Sequence, residues 1–63
     1  MRRLTSIDEI RVGATIRVVD EEFEADYTVV VDAVTPAPEY GYTSVMVNNE
    51  YRVDVYEQDV FEV

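Results

Sequence analysis

The sequence predicts an all-β fold, a five-stranded small barrel preceded by a helical or 3₁₀ turn, and three observations carry that expectation. From Ala14 onward apolar residues recur with a period of two, in short runs broken by turn-forming clusters. Valine, threonine and tyrosine, which suit a pleated, half-buried surface, fill those runs. The chain has only 63 residues, enough for one domain with a single small core. Residues 1–13 read as a capping turn and residues 14–63 as the barrel.

The elements follow in chain order. Thr5 and Ser6 stand ahead of Asp8 and Glu9, and Ile7 and Ile10 are spaced i, i+3, the pattern of a capped helical start. Gly13 ends it within a turn or two, so Leu4, Ile7 and Ile10 are laid across one end of the core. Ile16 and Val18 then alternate with Thr15, Arg17 and Val19, giving a first strand over 14–19. Adjacent like charges make residues 20–26 a loop, with Phe23 folded back as its apolar anchor. Tyr27–Val34 is the most regular strand: Tyr27, Val29, Val31 and Ala33 on one face, Thr28, Val30, Asp32 and Val34 on the other. Pro36, Pro38 and Gly41 mark the loop that follows, because proline donates no ladder bond and glycine permits positive φ.

Tyr42–Val47 and Tyr51–Val55 form the third and fourth strands, and their connection fixes a register. A two-residue Asn48-Asn49 turn would place Tyr51, Val53 and Val55 on the face of Ser44 and Met46. A three-residue loop, 48–50, pairs Val47 with Tyr51 and Val45 with Val53. A one-residue slip turns every side chain over, so the three-residue loop is expected. Residues 56–59 make a charged turn, and Val60–Val63 a closing strand with Phe61 and Val63 inward. The expected core is Ile7, Ile10, Ile16, Val18, Val29, Val31, Ala33, Val45, Val47, Val53, Val55, Phe61 and Val63.

Composition excludes several kinds of chemistry. Without His or Cys there is no general base poised near neutral pH, no thiolate nucleophile, no disulfide and few transition-metal ligands. Ser6 and Ser44 have no His or Lys to activate them, and no enzyme activity, catalytic residue, metal or cofactor is expected. No apolar run approaches the length of a membrane span, and no signal-peptide pattern follows Arg2 and Arg3. A cytoplasmic protein is the plain expectation.

Net charge is −9, with all five basic residues arginine. It is segregated: residues 1–17 carry four arginines against two acids, and residues 18–63 one arginine against twelve acids. Such a body repels nucleic acid, so no direct nucleic-acid binding is expected, and it attracts basic surfaces. Acidic, lysine-free, valine-rich composition also resembles proteins of halophilic archaea, and loss of lysine follows from GC-rich coding as in actinobacteria and their phages.

The order of five short strands, a proline-bearing loop after the second, a tight hairpin and a single turn before the last resembles an SH3-like small barrel over residues 14–63. That resemblance implies architecture and no particular function. The SH3 peptide-binding motifs do not carry over: the chain offers Glu24-Ala25-Asp26-Tyr27, Tyr56-Glu57-Gln58-Asp59 and no Trp.

Two surfaces are candidates for a partner. The first joins the acidic segment Asp20, Glu21, Glu22, Glu24 and Asp26 to Glu39 and to Tyr40, Tyr42 and Tyr56. Aromatic rings among carboxylates suit arginine, methyl-lysine or a protein hot spot. A Ca²⁺ loop would need a sharp glycine turn where Phe23 stands. The second surface is the outward apolar set Val19, Val30, Val34 and Met46, which homodimerisation or a protein partner would cover. A protein-binding module docking on a basic or mixed surface is therefore the leading expectation. A DNA mimic that inhibits a nucleic-acid-binding protein, and a salt-adapted structural domain with no charge-specific partner, are the alternatives.

Overall fold

The computed structural model describes all residues, Met1–Val63, and is all-β apart from two single 3₁₀ turns. Seven strands form two antiparallel sheets. Sheet A orders β1 (Arg2–Arg3), β7 (Asp59–Glu62), β2 (Thr15–Asp20) and β3 (Ala25–Val30) as β1-β7-β2-β3. Sheet B orders β4 (Val34–Pro36), β5 (Ser44–Val47) and β6 (Tyr51–Asp54) as β4-β5-β6. No ladder joins the two sheets, so the expected five-stranded barrel is replaced by seven strands in two sheets without a closed hydrogen-bonded ring.

The main source of that difference is the long second strand. Tyr27–Val34 keeps an unbroken period of two, yet the chain leaves sheet A after Val30 and enters sheet B at Val34. Asn48 holds the break open. Its side-chain Oδ1 accepts from the N–H groups of Asp32 (2.7 Å) and Ala33 (3.1 Å), and its Nδ2 donates to the Val30 carbonyl (2.9 Å). Its own N–H donates to the Ala33 carbonyl at 2.8 Å. One side-chain amide thus takes the place of a ladder where the sheets part.

The core lies between the inner faces. Ile16, Val18, Val31, Val47, Val53 and Val60 are fully buried, with Leu4, Ile10, Val45 and Val55 completing one apolar cluster. Ile7, Tyr27, Val29, Val34 and Tyr51 pack around its rim. Tyr27 of sheet A stacks on Tyr51 of sheet B, with ring centroids 4.8 Å apart. The β5–β6 register is the one expected, Val47 against Tyr51 and Val45 against Val53. Asn48 and Asn49 both take left-handed φ (57° and 54°), which asparagine tolerates better than most residues.

Four local expectations are corrected. In β7 the inward residue is Val60, paired with Val18 and fully buried, while Phe61 faces Arg17 and Arg3 on the outer side and Val63 is exposed. The Arg3 guanidinium lies over the Phe61 ring at 5.9 Å and bonds Asp59 at 2.6 Å, which holds β1 on the sheet edge. Residues 20–26 are not one loop: Asp20 ends β2, Ala25 begins β3, and only Glu21–Glu24 turn. Phe23 is no anchor, since 70% of its surface is exposed. Ala33 is only half-buried, and the buried alanine is Ala37 in the proline loop.

The N-terminal turn forms as the capping pattern requires. Ile7–Glu9 is a 3₁₀ turn; the Ser6 hydroxyl accepts from Asp8 N–H, and the Glu9 carboxylate accepts from the N–H groups of Thr5 and Ser6. It sets Leu4 and Ile10 into the core and leaves Ile7 at the rim.

Candidate functional site

Three loops meet at one end of the molecule: the Glu21–Glu24 turn, the loop around residues 37–43, and the turn after β6. Their bases are tied by a chain of buried polar side chains. The Asp20 carboxylate accepts from Phe23 N–H (3.3 Å) and from the Gln58 carboxamide (3.0 Å). Gln58 Oε1 accepts from Asp54 N–H (2.9 Å), and Gln58 N–H donates to the Asp54 carbonyl (2.9 Å). One Asp54 oxygen accepts from the Thr43 and Ser44 hydroxyls at 2.8 and 3.0 Å. The other accepts from Tyr56 and Glu57 N–H at 2.9 and 3.3 Å. Asp20, Ser44, Asp54 and Gln58 are all buried, and no buried side-chain polar atom lacks a partner.

This network sets the ionisation of its carboxylates. The Gln58 carboxamide holds the Asp20 carboxyl below the usual carboxylate range, with help from the Phe23 and Glu22 N–H groups and against its burial. Burial pushes Asp54 upward, but the bonds from Thr43, Tyr56, Ser44 and Glu57 outweigh it and hold the group below its ordinary value. Both stay anionic at neutral pH, Asp54 with two donors on each oxygen and Asp20 with one on each. Neither offers a free oxygen pair to a metal, and no group of three or more His, Cys, Asp or Glu side chains converges on a cation position.

Above the network the exposed residues are aromatic and acidic. Phe23 stands at the tip of its turn, flanked by exposed Glu21, Glu22 and Glu24. Tyr56 is 74% exposed on the turn after β6, and Tyr40, whose carbonyl accepts from the Ser44 hydroxyl at 3.4 Å, is also exposed. The first surface expected from sequence is thus partly assembled. Asp20 lies beneath it, Asp26 faces the outer side of sheet A in a two-bond ion pair with Arg17 (2.6 and 2.9 Å), and Glu39 sits on the proline 3₁₀ turn Pro38–Tyr40. The bond to Arg17 holds Asp26 below the usual range. Phe23 belongs to this surface although the sequence cast it as an anchor; its place between glutamates at a turn tip was the available signal.

The second surface is not assembled. Val34 shares the inner face with its partner Val47 and packs on the core, whereas Met46 lies opposite Thr35 and Arg52 on the outer face of sheet B. Val19 and Val30 belong to sheet A, where Val19 lies between Asp26 and Asp59. Only Val30, 54% exposed, is an open apolar residue of that set.

Charge is distributed unevenly. Arg2 pairs with Glu9 and Glu62, Arg3 with Asp59, Arg17 with Asp26, and Arg52 with Glu57. With Asp20 and Asp54 buried, seven carboxylates have no cationic partner: Asp8, Glu21, Glu22, Glu24, Asp32, Glu39 and Glu50. Of the four arginines that made residues 1–17 basic, Arg2, Arg3 and Arg17 are taken up in internal pairs, and Arg11 is exposed without one.

Beside the loop end runs one groove of about 380 Å³. Ile7, Asp8 and Ile10 line it from the N-terminal turn, and Val34, Pro36, Pro38 and Tyr42 from the other side. Tyr42 is therefore a wall of this groove, with its ring almost wholly exposed. No family model, curated protein or solved structure matches the chain.

Proposed function

We propose that this chain is a small non-enzymatic binding module of SH3-like small-barrel type that docks on a basic, partly apolar protein surface. One observation carries the reading: Phe23, Tyr40 and Tyr56 are exposed on loops joined at their bases by a buried hydrogen-bond chain, and Glu21, Glu22, Glu24 and Glu39 beside the first two have no cationic partner. Exposed aromatic side chains on a fixed base make contact area at small entropic cost, the property of binding hot spots. The unpaired carboxylates add attraction for lysine and arginine and speed encounter. The sheet orders support the barrel type, because β3 and β4 continue one chain run across both sheets, as a single bent strand would. Burial of Asp20 and Asp54 and the donors bonded to them support the non-enzymatic part.

A DNA mimic needs carboxylates along one ridge. Glu21, Glu22 and Glu24 lie beyond one end of β3, and Asp32 beyond the other, about 20 Å away by strand rise. That separation favours a protein surface.

A photo-crosslinking side chain placed at Phe23, Tyr40 or Tyr56, in cells that make the protein, tests the reading. It should trap a partner whose contact peptide is basic, while the same group at Thr28, exposed on sheet A, should trap none. Equal crosslinking from all four positions, or an acidic contact peptide, overturns it.

A further inference from the structure

We propose that the groove between the N-terminal turn and the proline loop takes an extended segment of another protein in which arginine or lysine alternates with apolar residues; only the sign of the partner's charge rests on the reading above. Most of the lining is apolar, with Ile7, Ile10, Val34, Pro36, Pro38 and Tyr42 in it, and Asp8 and Ser44 are its charged and hydroxyl members. Their volume of about 380 Å³ falls at the small end of ligand pockets, room for the side chains of a short segment.

The groove also follows a sheet edge. β4 is the outer strand of sheet B, and the Ala33 carbonyl and the Ala37 N–H bond inward, to Asn48 and Ser44. Alternation of peptide groups along a strand then turns the Val34 N–H, the Val34 carbonyl and the Pro36 carbonyl outward. One donor and two acceptors suit a short added strand whose alternate side chains enter the groove. Pro36 supplies no N–H, which keeps the pairing short and blocks open-ended sheet growth.

Charge selects the occupant. Asp8 lines the groove and Glu39 follows Pro38 at its rim, and neither has a cationic partner. The exposed Tyr42 ring offers a face for a guanidinium. A second copy of this chain brings net charge −9 to an acidic rim and is repelled. β1, β3 and β6 are edge strands as well, but no residue of theirs lines the groove.

The test is a methyl and amide NMR titration of the intact protein at low salt with a blocked peptide of alternating arginine and valine. A counterpart with glutamate for arginine is titrated in parallel. Saturable shifts at Ile7, Ile10, Val34 and Val45 with the arginine peptide alone are expected. Asp8→Asn with Glu39→Gln should weaken that binding by at least about fivefold, whereas Glu21→Gln with Glu22→Gln, which removes the same charge at the loop end, should change it by less than about twofold. All four carboxylates are exposed and make no side-chain hydrogen bond, so both variants keep the fold. Shifts confined to Phe23 and Tyr56 would overturn the groove and leave the loop-end reading standing. Equal weakening by both variants, or no saturable shift, would overturn it as well.

Discussion

The two places where the sheets part are each bridged by one side-chain amide, and the two bridges differ in kind. Asn48 bonds only to backbone groups, those of Val30, Asp32 and Ala33, so its seam is neutral. Gln58 links the backbone of Asp54 in sheet B to the carboxylate of Asp20 in sheet A, and Asp54 itself is a buried anion. One seam is an uncharged clasp far from the candidate site. The other lies directly under the exposed Phe23, Tyr40 and Tyr56. The difference teaches where acidity enters the fold: the loop end depends on ionised groups, and the opposite seam does not.

Removing the anion should do the most damage. Asp54→Ala strips partners from two hydroxyls and two peptide N–H groups at once, at a cost of about 3–4 kcal/mol. A chain of this length holds only about 3–9 kcal/mol in total, so the variant should lose from about a third to all of its stability in urea unfolding. An Asp54→Ala protein with an unchanged urea midpoint would show that the loop end is not organised from below. Asn48→Ala leaves three peptide groups unpaired and places a less tolerant residue at positive φ, for a loss of about 2–3 kcal/mol in urea unfolding. Asn48→Gly should lose less than Asn48→Ala, because only the bonds are removed.

Acid should separate the seams. Asp20, Asp54, Asp26 and Glu9 all have carboxyls held below their ordinary values. Groups shifted in that direction contribute stability above the unfolded range of about 4, and lose it as pH falls through their folded values. Urea midpoints should therefore change little from pH 7 to 5 and fall steeply below about pH 4. In Asp54→Asn the steep limb should be shallower, and in Asn48→Gly it should keep the slope of the parent. Identical limbs in all three proteins would remove the distinction between a charged and a neutral seam. At the alkaline end the sign reverses for Tyr27, whose phenol is pushed up to about 12, first by burial and then by Tyr51 and Asp20. Its contribution is complete below about pH 10 and is lost as pH rises towards 12. Absorbance titration should show a late-ionising tyrosine that disappears in Tyr27→Phe.

How much of this was legible in the sequence follows from the range of the forces involved. The β5–β6 register could be read because both strands carry local apolar alternation, and only one loop length keeps Val45, Val47, Val53 and Val55 together. The capped turn at Ser6 could be read for the same reason, since its bonds span four residues or fewer. The break after Val30 could not, because the amide that holds it lies 18 positions away at Asn48. Asp20 resembled its solvated neighbours because the Gln58 that buries it is 38 positions distant. Phe61 and Val63 read as inward when Glu62 is set outward, but pairing of Val60 with Val18 decides the face. Among the residues expected on a contact surface, Glu21, Glu22, Glu24, Tyr40 and Tyr56 needed only exposure, and they are exposed. Val34 and Met46 needed a sheet assignment and were placed on one face in error.

The smallest expected effect tests the turn above the Gln58 seam. Glu24 holds φ of 54°, a conformation in which a glutamate side chain is strained, whereas the other seam places asparagines at comparable angles. Glu24→Gly should relieve that strain and raise the urea midpoint by the equivalent of about 0.5–1 kcal/mol. Glu24→Gln, which removes the same charge and keeps the strain, should gain less. If the two variants gain equally, repulsion among Glu21, Glu22 and Glu24 is the dominant cost, and the turn is limited by charge instead of backbone. If only the glycine gains, the carboxylate at position 24 is carried on a strained backbone at the expense of stability, as expected for a residue kept for its contact with a partner.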